Sequence, residues 1–383
     1  LFNLLMALIF NLTHAEPSIH AFIIGIGAYP YLAGGATPRN QILDGVSKID
    51  QLISPPLSAV GFYNTLIDLN NSGNLSFPLG SVEFFASEIP GSNLIPAELQ
   101  SDEPNRLNIA NAFDAWVNRC ESNSKNLAVF YFCGHGIQDG DHYLLTSDFG
   151  QRPNYPFEGS FNFDQTMMAL NQLKIDHQIF FVDACRYILP GMLKAPQTVQ
   201  PLLFPNRLKK DSEFCAVYKG AAANNGAFAI PNQVSFFTKA IINGLNGAAS
   251  KLTNGRWVVS TSNLADNLES LMNIEKDIDG DMLRSDKYYS KSFPLTTWND
   301  PTNRTVILTC NPDHALPVAN LHCVDVDGII NHTRGPENEK WKFETPAGFY
   351  RINATFPGGY DTKNRNINVE KPINEETIWC NVI

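Results

Sequence analysis

Two short motifs, each closing an apolar run, hold the side chains best suited to covalent chemistry. One is Leu127-Ala128-Val129-Phe130-Tyr131-Phe132-Cys133-Gly134-His135-Gly136, the other Ile179-Phe180-Phe181-Val182-Asp183-Ala184-Cys185-Arg186. A thiol is a weak nucleophile until it loses its proton. A neighbouring imidazole can take that proton, or stabilise the thiolate as imidazolium. Cys185 therefore reads as a nucleophile, and His135 as the general base for attack and general acid for the leaving group. Alone, each residue has a plainer reading, since a His after a strand is usually structural and a free Cys is usually buried. The pairing at two apparent strand ends, where open α/β sheets keep their sites, points to a Cys-His dyad.

Other elements must bring those two ends together. Strand-length apolar runs occur at 20–26, 81–86, 126–133, 178–183 and 214–218, with helical patterns between them. Ser54-Pro55-Pro56 reads as an N-cap and a Pro-containing first turn opening a helix to about Asp68. From Asn105 to Arg119, Ile109, Ala112, Phe113 and Trp116 share one broad face suited to a core. This alternation predicts an α/β domain with a mostly parallel sheet covered on both faces. After Thr302 the pattern becomes short alternating segments at 305–310, 321–326, 341–344, 349–356 and 366–369, an all-β module. The expected organisation is an N-terminal extension at 1–18, an α/β domain at 19–275, a linker at 276–302 and a β-sandwich-like domain at 303–383.

A chain of 383 residues, 44% of them hydrophobic, can bury two cores. Its net charge of −10 gives no basic footprint, so neither nucleic acid nor an anionic membrane is an expected partner. No run approaches the ~20 apolar residues of a membrane span. Seven cysteines without Cys-x-x-Cys spacing, and eight histidines without metal-ligand spacing, argue against a zinc site; no metal-binding residue is assigned. Such cysteine usage suits a reduced, cytoplasmic setting, although Cys310 and Cys323 could pair in an oxidising one. The alternative is export, if the apolar run Leu4–Leu12 and Thr13-His14-Ala15 form a signal segment. The carboxylates of Asp277-Ile278-Asp279-Gly280-Asp281 make calcium a possible ligand, but the spacing is not that of an EF-hand.

Asp183-Ala184-Cys185-Arg186 is close to the Gln-Ala-Cys-x-Gly signature of caspases, whose His lies about 50 residues upstream. Here the separation is 185 − 135 = 50. The chain thus resembles the caspase-like cysteine peptidases, nearer to metacaspases and their bacterial relatives, over roughly residues 19 to 298. The run His20-Ala21-Phe22-Ile23-Ile24-Gly25-Ile26-Gly27 resembles their opening Ile-Gly-Ile strand. Ser235-Phe236-Phe237-Thr238 resembles their Gly-x-Phe-Thr helix start, with Ser in place of the usual Gly. Tyr187 departs from the family, which carries Gly or Ser-Gly near that position.

The resemblance implies a three-layer α/β/α sandwich and a cysteine-type endopeptidase acting on polypeptides with no required cofactor. It implies an oxyanion site from the backbone N–H groups of Gly136 and Cys185. It also puts Asp183 and Cys133 in the wall of the pocket for the residue before the scissile bond. A desolvated carboxylate there favours Arg or Lys and repels Asp. The Pro-broken stretch 187–212 matches the connection often cut during maturation, making Arg207, Lys209 and Lys210 autoprocessing candidates. The competing expectation is a catalytically silent scaffold. Pro346-Ala347-Gly348-Phe349-Tyr350 resembles a hairpin of transthyretin-like sandwiches, and the C-terminal domain is a possible recognition module for a protein or ligand. An exposed patch of Trp341, Phe349 and Tyr360 would favour that role.

Overall fold

Strands buried on both faces read as continuous Val, Ile and Phe runs, because helices cover the sheet on each side. The computed structural model describes residues 7–12, 16–39, 49–186, 199–206, 212–221, 232–274 and 283–383. In chain order the elements of the first unit begin with β1 (Leu8–Asn11), β2 (Ile19–Ile26), α1 (Ser54–Asn71), β3 (Leu79–Ser87), α2 (Arg106–Cys120) and β4 (Leu127–Gly134). A small hairpin region follows, with β5 (Gly136–Asp139), β6 (Asp141–Leu145), β7 (Ser160–Asn162) and α3 (Phe163–Asn171). Then come β8 (His177–Ala184), β9 (Phe214–Lys219), α4 (Phe236–Asn243), β10 (Lys251–Thr253), β11 (Arg256–Ser260), α5 (Thr261–Asn273), β12 (Asp286–Tyr289) and β13 (Pro294–Trp298).

The main sheet runs β1-β3-β2-β4-β8-β9-β12. Its five inner strands are parallel, and β1 and β12 close the edges antiparallel. Alternation along each strand separates two cores. Ile23, Tyr131 and Phe181 pack against Phe62 of α1, Ile241 of α4 and Leu268 of α5. Phe22, Phe130 and Val182 pack on the other face against Phe113 and Trp116 of α2 and Phe163 of α3. The result is the expected three-layer α/β/α sandwich.

Three local readings differ from the sequence expectation. Within the expected N-terminal extension, Leu8–Asn11 is an edge strand paired with β3. The span read as a linker contains β12, paired with β9, and β13, paired with β11. All four residues of β12 are exposed, so that edge lacks the apolar alternation that marks a strand in sequence. Ser54 is the first helical residue rather than the cap, which is Ile53 without a side-chain bond. The following prolines carry no N–H for a cap hydroxyl to bond.

The second unit contains β14 (Asn303–Asn311), β15 (Asn320–Asp325), β16 (Asn331–Arg334), β17 (Trp341–Pro346), β18 (Gly348–Thr355), β19 (Lys363–Val369) and β20 (Ile373–Trp379). Two sheets, β17-β14-β20 and β16-β15-β18-β19, enclose a core including Val306, Leu308, Leu321 and Ile352. Arg304 ties this unit to the first. It is buried, and its guanidinium donates to the carbonyls of Gly247 and Ser250 at 2.8 and 2.9 Å. Trp341 is buried and Tyr360 half-buried, which leaves Phe349 the exposed member of the three aromatics. None of the seven cysteines forms a disulfide. The Cys310 thiol hydrogen-bonds with Cys380, not with Cys323.

Candidate active site

β4 and β8 are adjacent parallel strands in register, with Cys133 opposite Asp183 and Gly134 opposite Ala184. His135 and Cys185 are the next residues on each strand, so both leave the sheet at its C-terminal edge, about one strand spacing (~4.8 Å) apart. Both are half-buried, whereas the other six cysteines are buried.

The imidazole is held from two sides. Nε2 of His135 lies 2.7 Å from the Asp50 carbonyl, and its ring centroid is 4.8 Å from that of Tyr29. A carbonyl only accepts, so Nε2 carries the proton and Nδ1 keeps the lone pair of the neutral ring. The backbone N–H of His135 donates to the Tyr29 hydroxyl at 2.9 Å. Tyr29 is in turn fixed by Gln51, whose side chain accepts from the Tyr29 N–H at 2.6 Å and donates to its carbonyl at 2.9 Å. No carboxylate is needed to orient the ring. The sequence singles out none of Tyr29, Asp50 and Gln51; no motif marks a residue that acts through its backbone carbonyl.

Gly136 packs directly on the Cys185 peptide. A Cβ there would come within 2.7 Å of the Cys185 carbonyl oxygen and 2.9 Å of Ala184 Cβ. Leu145 N–H donates to the His135 carbonyl, so the His135 carbonyl faces β6 across the β5–β6 hairpin. Alternation then turns the Gly136 N–H away from β6.

Asp183 lies beneath this edge on the α1/α4 face and is buried. One carboxylate oxygen accepts from the Ser235 hydroxyl, from Thr238 Oγ1 at 3.0 Å and from Cys133 Sγ at 3.5 Å. Ser235 also caps α4 by accepting from the Thr238 N–H. Among the described residues no Lys or Arg pairs with Asp183. Burial raises its pKa, and the hydroxyl donors Ser235 and Thr238 oppose that rise. Burial likewise lifts the Cys133 thiol well above its ordinary range, with Asp183 adding to the effect. Arg207, Lys209, Lys210 and the Asp277–Asp281 run lie outside the described residues.

A family model described as "Caspase domain" matches residues 19–279, well over half of the chain. The chain belongs to the caspase-domain family of cysteine peptidases. It is also 30% identical over 178 residues to "Uncharacterized protein y4kE" of Sinorhizobium fredii (strain NBRC 101917 / NGR234). That alignment covers 45% of this chain and spans about half, 51%, of the relative. Among solved structures, caspase-1 from Spodoptera frugiperda superposes with a TM-score of 0.41 at 9% identity, covering 73% of this chain and 93% of that one. Among the described residues, no helix is long and apolar enough to cross a membrane, and no cluster of His, Cys, Asp and Glu could hold a metal ion.

The histidines give the caspase domain a pH signature. Burial pushes the His135 pKa down to about 4, against a smaller raising effect from the Asp50 carbonyl. Burial also lowers His142 and His177. A folded pKa below the unfolded ~6.5 means that the unfolded chain takes up protons first. Stability is therefore complete above about pH 6.5 and falls as the pH drops from there toward about 4. The raised pKa of Asp183 works in the opposite direction, but it is one group against three. The thermal midpoint should be flat from about pH 8 to about pH 7 and fall steadily from about pH 6.5 to about pH 4.5. A flat midpoint across that lower range would contradict imidazoles kept neutral by desolvation.

Proposed function

We propose that this protein is an endopeptidase in which Cys185 and His135 hydrolyse peptide bonds after Arg or Lys. The observation that supports the reading is the register of β4 and β8, by which His135 and Cys185 follow neighbouring strand ends, together with the contact of His135 Nε2 to the Asp50 carbonyl, which leaves Nδ1 as the basic nitrogen. His135 Nδ1 takes the thiol proton, and the thiolate forms a C–S bond with the substrate carbonyl carbon. The oxyanion that develops is met by the backbone N–H groups of Cys185 and Gly136. The imidazolium then protonates the leaving amine as the C–N bond breaks, and water, deprotonated by the same ring, releases the acid from the thioester.

Selectivity comes from Asp183 with Cys133 beside it. A buried carboxylate that has only hydroxyl and thiol donors among the described residues is well suited to an incoming guanidinium or ammonium, and repels a carboxylate. The same preference makes Arg207, Lys209 and Lys210 candidate self-cleavage points.

The test is fluorophore release from short peptides ending in Arg, Lys or Asp, with and without calcium. Intact masses of wild type and Cys185→Ala are compared alongside. Arg and Lys peptides should turn over at least about tenfold faster than Asp peptides, since that ratio needs only ~1.4 kcal/mol. A preference for Asp would overturn the assigned selectivity, and silence on every peptide would favour the scaffold reading. Fragments ending after residues 207, 209 or 210 in wild type alone would support self-cleavage.

A further inference from the structure

One buried titratable side chain outside this dyad touches the backbone of the nucleophile itself. His142, on β6, is fully buried, and its Nε2 lies 3.1 Å from the Cys185 carbonyl oxygen. Since the carbonyl can only accept, Nε2 carries the proton and Nδ1 is bare. Nδ1 has no hydrogen-bond partner among the described residues. The ring is placed by three elements. His142 N–H donates to Asp164 Oδ2 at 2.8 Å, and the other oxygen of Asp164 accepts from Lys219 Nζ at 2.8 Å. The edge of Phe163 closes the pocket, with ring centroids 6.2 Å apart. A Cβ on Gly136 would come within 2.7 Å of both His142 Nε2 and the Cys185 carbonyl oxygen. The imidazole therefore sits where the peptides of Gly136 and Cys185 meet.

We propose that His142 is a positioning residue, whose Nε2–H holds the Cys185 carbonyl and so sets the thiol toward His135 and the Cys185 N–H toward the oxyanion. The inference rests on the endopeptidase reading above. His142 transfers no proton. Its role is geometric, and it needs a neutral donor. Burial, reinforced by the Lys219 ammonium and by Arg186, lowers its pKa, while Asp164 and the Cys185 carbonyl oppose that shift. The ring thus stays neutral where catalysis runs, and the bond does not add a second cation beside the thiolate–imidazolium pair. Arg186 supports the same segment from the far side, donating to Gln138 Oε1 at 2.9 Å and to Asp286 Oδ2 at 2.7 Å. A buried donor pinned by an ion pair is better suited than a solvated one to hold a nucleophile, because a displacement of ~1 Å can cost about 100-fold in rate.

The test compares His142→Met with His142→Gln, side chains of similar length of which only Gln keeps an N–H donor. His142→Met should lower kcat about 10- to 100-fold with KM within about twofold, the pattern of an interaction that matters in the transition state. His142→Gln should recover to within about threefold of wild type. Alkylation of Cys185 by iodoacetamide, followed by mass, gives a readout that needs no peptide. Its rate at a fixed pH should fall in the Met variant and stay put in the Gln variant. Wild-type silence on all peptides would indict the endopeptidase reading; an active wild type matched by an equally active Met variant with an unchanged alkylation rate would overturn the positioning role alone. Equal losses in Met and Gln variants would also overturn it. Should the Met variant not fold, histidine 15N spectra of the wild type decide: the Nε2–H tautomer from about pH 8 to about pH 5 supports the proposal, and the Nδ1–H tautomer or an imidazolium overturns it.

Discussion

Cys185→Ala is expected to reduce peptide hydrolysis by about 10^4-fold or more, and His135→Gln by on the order of 10^3-fold, with both variants keeping the wild-type melting profile to within a few degrees. The asymmetry follows from what each replacement removes. Alanine leaves no atom to form the covalent bond, and the remaining six cysteines are buried, so no second thiol can substitute. Glutamine can still donate to the Asp50 carbonyl, and so keeps the loop that His135 braces, but it has no basic nitrogen to take the thiol proton. Folding should survive because both side chains are only half-buried at the strand ends, where truncation opens no enclosed cavity. Combining the two changes should cost scarcely more than Cys185→Ala alone, because residues that act as a unit are not additive. The measurement is single-substrate turnover with mass-verified protein. A His135→Gln enzyme retaining more than about a tenth of the activity would show that another group activates the thiol.

What the sequence exposes and what it hides divide along one physical line. The five inner strands are visible because burial on both faces writes them as apolar runs, and His135 and Cys185 are visible because each closes such a run. β12 is hidden because its four residues face solvent at a sheet edge, so nothing in its composition separates Asp286–Tyr289 from a polar connector. The same holds for contacts whose partners are far apart in sequence. Asp50 meets His135 across 85 residues, and it does so through a backbone carbonyl whose side chain is irrelevant. His142 meets the Cys185 carbonyl across 43 residues, and its identity signals nothing until β6 is folded back beside β8. Ser235 lies between these cases. Its position at a helix start is legible, but its hydroxyl bond to Asp183 is not, because that requires α4 to abut the end of β8.

Asp183→Asn is expected to change which peptides are cleaved more than whether any are. If the carboxylate binds the cation before the scissile bond, replacing a charged acceptor by a neutral one removes about 2–3 kcal/mol, or roughly 30- to 140-fold in kcat/KM for Arg and Lys peptides. Peptides with an uncharged residue at that position should be nearly unaffected, and those with Asp should improve as the repulsion disappears. The substitution preserves shape, and the Asn carbonyl can still accept from Ser235 and Thr238, so the start of α4 should stay in place. Removing a buried charge whose pKa burial already raises should leave stability unchanged or slightly improved at neutral pH. The ratio of Arg to Asp turnover is therefore the decisive quantity, because damage to the fold lowers both terms together. A uniform loss at constant ratio would assign Asp183 a purely structural task, holding Ser235 and Thr238 at the first turn of α4, and would move the source of any basic preference to another wall of the pocket.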